Sequence, residues 1–362
     1  PYTTLFRSGK KIYIALNTLI FEDEMEDVKK YIDFLYLYVD AIIVQDYGVV
    51  HYIRSTYPDF PVHLSTQTSI HQKEDIKFLK SIGISRIVLA REVSIDEIRE
   101  FQKEGIELEV FIHGALCFSY SGLCYLSYYK GGRSGNRGNC AQPCRMNYEL
   151  YEDENKIKEG PLLSMKDLNT SERIKTLLKI GVCSLKIEGR AKSKEYVMSV
   201  TKLYRRLIDN FIHHQNETLP SELYKDLYTS FSREKTEGYL FNASNQDVTT
   251  DHSVKHLGIE IGKVISTSNK QAKIKLFYPL EIGDGIRIVC GNKEVGLTVT
   301  RIIQNGKLVK EAKGTMIIDV KPYVSDNSII YKTQSNKVKN DVKNLINENK
   351  LEGVLEIEIT QE

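Results

Sequence analysis

From Lys11 to about Phe211, short β-branched runs alternate with longer amphipathic stretches. The strand-like runs are 12–17 (IYIALN), 41–46 (AIIVQD), 62–66 (VHLST), 86–91 (RIVLAR), 107–112 (ELEVFI), 161–167 (PLLSMKD) and 184–189 (SLKIEG). Between them, 23–38, 68–82, 94–104, 171–181 and 193–212 read as helices; in the last, Val197, Val200, Leu203, Tyr204, Leu207 and Phe211 recur at helical spacing. Such alternation predicts βα units around a parallel sheet. Polar residues gather where these strands end: Asn17, Gln45 and Asp46, Ser65 to Gln67, Arg91 and Glu92, His113, Lys166 and Asp167, Glu188 and Arg190. A (β/α)8 barrel builds its site at that face. A doubly wound sheet would concentrate them at one switch point instead. Seven strands are one short of eight, so residues 9–250 are expected to form a TIM-like (β/α)8 barrel lacking its first βα unit.

Beyond a helical stretch at 219–230 the pattern changes to short β runs from His256 to about Lys332, separated by turn residues such as Gly283-Asp284-Gly285 and Asn305-Gly306. These predict a small all-β domain, a barrel or sandwich, over residues 251–334. Residues 335–362 read as a charged, Asn-rich linker or helix followed by the start of a truncated further domain, VLEIEITQE. At the other end, PYTTLFRS is the in-frame translation of a common sequencing-library adapter. We therefore set Pro1–Ser8 aside as an adapter artefact, against the plainer alternative of a natural strand or arm.

Composition narrows the picture only a little. The chain has 362 residues, 41% hydrophobic and 27% charged, with a net charge of +2. Overall charge gives no argument for a nucleic-acid or membrane partner, so any such argument must come from local clusters. No apolar run approaches the ~18–20 residues that span a bilayer. No membrane partner is expected, and the expected location is the cytoplasm.

The candidate chemistry sits in one loop. Of six cysteines, Cys117, Cys124, Cys140 and Cys144 fall within 28 residues, spaced C-x6-C-x15-C-x3-C. Four thiolates suit an iron–sulfur cluster or a structural zinc. Zinc modules mostly use tighter knuckles than the six-residue gap here; buried or disulfide-bonded cysteines are the third alternative. Glycines from Gly114 to Gly138 would let backbone amides approach the sulfurs. Cys183 and Cys290 stand in strand-like apolar contexts and read as plain core residues. From Val110 to Tyr148 there is no acidic residue, while Lys130, Arg133, Arg137 and Arg145 interleave with five tyrosines. That suits an anionic small molecule or stacked RNA bases; a solvated basic loop with packing tyrosines is the bland reading.

Lys186, Glu188 and Arg190 alternate at the end of one strand, which places them on one side of it. We read Glu188 with Arg190 or Lys186 as an active-site pair, with a structural ion pair as the alternative. His113 is a candidate proton donor, and Ser65 and Gln67 of HLSTQTS are candidate groups for a polar ligand.

These segments resemble the U-32, collagenase-like peptidase family. FIHGALCFSYSGLCYLS (111–127) is similar to its signature, Gly-Ala-Leu-Cys followed by Gly-x-Cys-x-x-Ser. GNRGNCAQPCR (135–145), SLKIEGR (184–190), LSTQTS (64–69) and TLIFEDE (18–24) extend the likeness. FSREKTEGYLF (231–241) resembles a further family stretch, from which Ser232, Glu234 and Lys235 depart. HLGIEIGKV and LEIGDGIRI are similar to the β module of longer members acting on ribosomal RNA. The resemblance implies that Cys117, Cys124, Cys140 and Cys144 ligate a [4Fe–4S] cluster. It also implies hydroxylation of a pyrimidine in transfer or 23S ribosomal RNA with prephenate as cosubstrate. Collagenase-like proteolysis is the alternative; no HExxH or G-x-S-x-G motif supports it.

Overall fold

Short strands followed by helices set up the first half of the chain. The computed structural model describes residues 9–214, 218–250, 254–291, 293–321 and 324–348. Pro1–Ser8 and the terminal VLEIEITQE lie outside them. Strands β1 (Tyr13–Leu16), β2 (Ala41–Val44), β3 (Val62–Leu64), β4 (Arg86–Val88) and β5 (Glu107–Ala115) pair in parallel in that order, and β10 (Ser184–Ile187) joins the far side of β5, also in parallel. The run AIIV of β2 is buried throughout, as in parallel strands covered on both faces. Two helix starts are fixed by side-chain caps. Asp46 caps α2 (Tyr47–Thr56) by accepting from the amides of Gly48 and Val49, and Ser94 and Glu97 close a capping box on α4 (Ile95–Gln102). The remaining helices of this half are α1 (Met25–Tyr36), α3 (Lys73–Ser81), α5 (Leu126–Gly131) and α6 (Ile174–Ile180).

The expected barrel is met only in part: a parallel sheet with helices is present, but among the described residues its ladder does not close. The segment 161–167 explains the difference. Ser164 N donates to Pro161 O at 2.8 Å, turning the chain before it can run parallel. Past this turn the chain splits into β8 (Ser164–Met165), antiparallel to β12 (Thr249–Thr250), and β9 (Asp167–Asn169), antiparallel to the end of β5. An exposed hairpin, β6 (Tyr148–Glu152) with β7 (Asn155–Gly160), precedes them, and β11 (Lys235–Thr236) pairs with β9. No helix among the described residues is long and apolar enough to cross a membrane.

By packing, the chain divides into two units, each made of more than one stretch of sequence. The first runs up to Glu188 and takes back the segment starting at Lys235. The second joins Gly189–Glu234, with helices α7 (Lys194–Ile212) and α8 (Ser221–Ser230), to residues 254–348. It holds eight antiparallel strands ordered β16-β15-β20-β13-β14-β19-β17-β18, wrapped on one apolar cluster that includes Ile261, Ile274, Ile288, Met316 and Ile330. The ranges are β13 Ile259–Ser268, β14 Gln271–Glu281, β15 Gly285–Cys290, β16 Lys293–Thr298, β17 Ile302–Gln304, β18 Lys307–Val309, β19 Glu311–Asp319 and β20 Ile329–Gln334. The stretch read as linker or helix is the helix Asn336–Glu348. Asp284, fully buried, ties its start to the sheet by accepting from Asn336 N (2.8 Å), Glu281 N (2.8 Å) and Lys332 Nζ (2.6 Å). His256 tethers the segment after α8 to this sheet: its Nδ1 accepts from Ser232 N at 2.8 Å, and its Nε2 lies 2.9 Å from Thr333 O.

Candidate functional site

The cysteine loop leaves β5 at the C-terminal side of the parallel strands, and neighbouring strand ends pin it there. Glu188 N donates to His113 O at 2.9 Å, so the ends of β10 and β5 meet. Gly114 permits this contact, because a Cβ there would stand 2.7 Å from both Cβ and O of Glu188. Ser121, almost fully buried, accepts from Arg91 N at 3.2 Å and donates its own amide to Glu92 Oε1 at 3.1 Å. Gly122 presses on the turn after β3 so closely that a Cβ would lie 1.9 Å from Gln67 O.

All four loop cysteines are free thiols. Burial pushes the thiols of Cys117 and Cys144 up. Charge on Cys124 and Cys140 pushes both further, and Cys117 does the same to Cys144. Gly135 brings two of the cysteine segments together, a Cβ there standing 3.6 Å from Cys140 Cβ and 4.0 Å from Cys124 O. Among the described residues no three Cys, His, Asp or Glu side chains already stand at metal-ligand spacing. The donor set itself, four free thiols in one loop, with Gly135 beside Cys140 and Gln142 N donating to Cys140 Sγ at 3.3 Å, fits a soft thiolate-bound centre. Cys183 stands apart, its thiol 3.1 Å from Leu108 O.

The other predicted residues fare differently. His113 is buried at the junction with Glu188. Ser65 works within the fold: it accepts from Gln67 N at 3.1 Å and from Asn17 Nδ2 at 3.5 Å, capping the short turn Thr66–Thr68. The carbonyl of Gln67 accepts from Gln45 Nε2 at 3.2 Å. Thr66 Oγ1 and Gln45 Oε1, both buried nearby, have no hydrogen-bond partner. Arg137 grips Glu24 bidentately, donates to Leu19 O at 2.7 Å and lies over Phe21, holding the Glu24 carboxyl down at about 2. Arg145 donates to Ser164 Oγ, Met165 O and Leu116 O. Both are therefore loop clamps rather than groups waiting for a ligand. Arg133, bonded through Nε to Asn139 O, stands on the exposed rim. Arg190 follows Gly189 into the second unit. The rim also carries exposed Tyr120, Tyr125, Tyr128 and Tyr129.

Lys186 does not pair with Glu188. Its ammonium sits 2.8 Å from Glu109, a buried carboxylate that also receives Ser184 Oγ at 2.7 Å and Arg86 Nη1 at 3.4 Å. Burial pushes Glu109 up, yet Lys186, Ser184 and Arg86 together hold it below its ordinary value. His63 completes this buried network, edge-on to Tyr13 with centroids 4.9 Å apart and with its Nδ1 unpartnered. Burial, and then the Arg86 charge, depress it from 6.5 to about 4. Sequence reasoning missed both residues; the signal for Glu109 was its position between apolar neighbours in ELEVFI.

This buried histidine makes stability depend on pH. His63 is neutral when folded and takes up a proton more readily when unfolded, so its contribution is full above about 6.5 and is lost as pH falls toward 4. The shift corresponds to roughly 3 kcal/mol. Urea melts at several pH values should show this loss, and His63→Phe should flatten the curve between those limits. An unchanged slope in the variant would assign the acid sensitivity to other groups.

The profile of peptidase family U32 matches residues 3–250. The chain belongs to peptidase family U32. This U32 chain is 36% identical over 312 residues, 83% of its length, to the 23S rRNA 5-hydroxycytidine C2501 synthase of Escherichia coli, covering 47% of that protein. It is 40% identical over 250 residues, 64% of its length, to tRNA hydroxylation protein P1 of Bacillus subtilis, covering 59% of it. It is 32% identical over 249 residues, 64% of its length, to a collagenase of Porphyromonas gingivalis, again covering 59%. The chain thus spans about half of these U32 relatives.

Proposed function

We propose that this chain takes part in hydroxylating a pyrimidine of transfer or 23S ribosomal RNA, with a [4Fe–4S] cluster on Cys117, Cys124, Cys140 and Cys144 and with prephenate as cosubstrate. The observation that carries the reading is the set of four free thiols in one loop anchored on the strand ends, in a chain whose relatives include RNA-hydroxylating proteins. When bound, the cluster supplies one-electron redox chemistry. The protein does the rest. Gly122, Ser121 and Arg145 hold the loop in place; His113 and Glu188 stand at its base as the groups able to move a proton. The exposed tyrosines offer faces on which splayed bases stack, and Arg133 on the rim can pair with phosphate or carboxylate.

The test is nucleoside mass spectrometry on both RNA pools of a strain lacking the gene. One hydroxylated pyrimidine should vanish and return with the parent gene but not with Cys140→Ala. Purified without oxygen, the parent should be brown and contain iron. Replacing any of the four loop cysteines should remove the iron, while Cys183→Ala should keep it. Zinc in place of iron would defeat the cluster assignment. Unchanged nucleoside profiles, with gelatin cleaved even by the cysteine variants, would favour the peptidase reading.

A further inference from the structure

Alternation along a strand puts every second residue on one face, and on the outer face of the second unit it gathers lysines. Lys263 of β13, Lys273 and Lys275 of β14, and Lys313 of β19 are all exposed. Lys263 stands directly opposite Lys275, which in turn stands opposite Thr315. Like charges in register repel across a ladder. Exposed lysines often protect sheet edges, but β13 and β14 are the two central strands of the eight. Other lysines of this unit are neutralised by carboxylates: Lys332 by Asp284 at 2.6 Å, Lys337 by Asp341 at 3.0 Å, Lys225 by Glu222 at 3.3 Å. Among the described residues none of the four on the outer face has such a partner. Asp319, toward the end of the same face, is bonded to Gln271 Nε2 at 3.1 Å. Phe277 follows Lys275 by two residues and is half exposed, as is Ile265 in the neighbouring strand.

A central, unneutralised basic face bearing an exposed aromatic ring has the chemistry of a single-stranded nucleic-acid surface, where phosphates relieve the repulsion and a base stacks on the ring. We infer that the outer face of β13, β14 and β19 binds the RNA substrate's backbone through Lys263, Lys273, Lys275 and Lys313, with Phe277 stacking a base. This rests on the RNA reading above and adds a second contact surface, remote in sequence from the cysteine loop.

The experiment is fluorescence anisotropy of the full chain with a labelled, unstructured RNA oligonucleotide over a range of salt. Lys263→Gln with Lys275→Gln should weaken binding about equally for every sequence and make the slope of log K against log salt shallower by about one per lysine. Phe277→Ala should weaken binding about tenfold at an unchanged slope, and Lys337→Gln should change neither. Lys263→Arg with Lys275→Arg should retain binding, which keeps the test decisive if the Gln pair fails to fold. Equal affinity and slope for parent and a fourfold Gln variant would overturn the inference while leaving the RNA reading intact. A parent that binds no RNA would sink both. Tighter binding to phosphatidylserine vesicles than to RNA at the same salt would assign the face to a membrane surface instead.

Discussion

Gly122→Ala is expected to undock the cysteine loop. Two separable penalties meet at that residue. Its φ of +79° lies in the left-handed region, where a Cβ costs about 1–2 kcal/mol. The added Cβ would also stand 1.9 Å from Gln67 O, a backbone atom of a turn held by Ser65 and Gln45. No rotamer change relieves that overlap, so one of the two segments must move. Gly132→Ala is the control: its φ of +69° carries the same strain, and nothing lies within 4 Å of its Cβ. Gly132→Ala should lower stability by about 1 kcal/mol and leave iron content alone. Gly122→Ala should cost several times more, expose the loop to protease and lose iron with all four cysteines still present. Equal behaviour of the two variants would mean that the contact with Gln67 does not hold the loop.

Which features the chain advertises depends on how local their causes are. Strands β1 to β5 and β10 lie where the β-branched runs place them, most plainly β2, whose burial on both faces leaves a continuous apolar signal. The cysteine loop was equally plain, since spacing and glycine content survive without knowledge of the fold. Long-range choices were hidden. The run 161–167 has strand composition, yet its direction is decided by the turn at Pro161 and by β5 and β12 waiting as antiparallel partners. Arg137 and Arg145 look like ligand-binding groups in sequence, but Glu24, which occupies Arg137, is 113 residues away, and the carbonyls that occupy Arg145 also belong to other segments. Helices α7 and α8 follow the βα pattern in sequence, yet they pack with the later β module, where His256 takes the Ser232 amide just beyond α8. Periodicity carries no trace of that choice.

Glu109→Gln should be among the most damaging single changes in the first unit, and its partner shows why Lys186 reads better as structure than as chemistry. The carboxylate is 5% exposed and is approached by Lys186, Arg86 and Ser184. Neutralising it leaves the Lys186 ammonium against an uncharged amide and strips Arg86 of one of its two carboxylates, the other being Glu107 at 2.7 Å. Breaking a buried pair from one side costs about 3–5 kcal/mol. Replacing both partners by apolar groups of similar volume removes the desolvation cost along with the attraction. Glu109→Leu with Lys186→Met should therefore be far less destabilising than the sum of the single changes, as a double-mutant cycle in urea would show. Acid gives the same ordering: Glu109 titrates below the ordinary carboxylate value, so its contribution is present above about 4.3 and disappears as pH falls through its lower folded value. The apolar double variant should lack that loss. If Lys186 held substrate, the double variant would fold well and still fail to restore the hydroxylated nucleoside. If it serves the network alone, folding and the modification should return together.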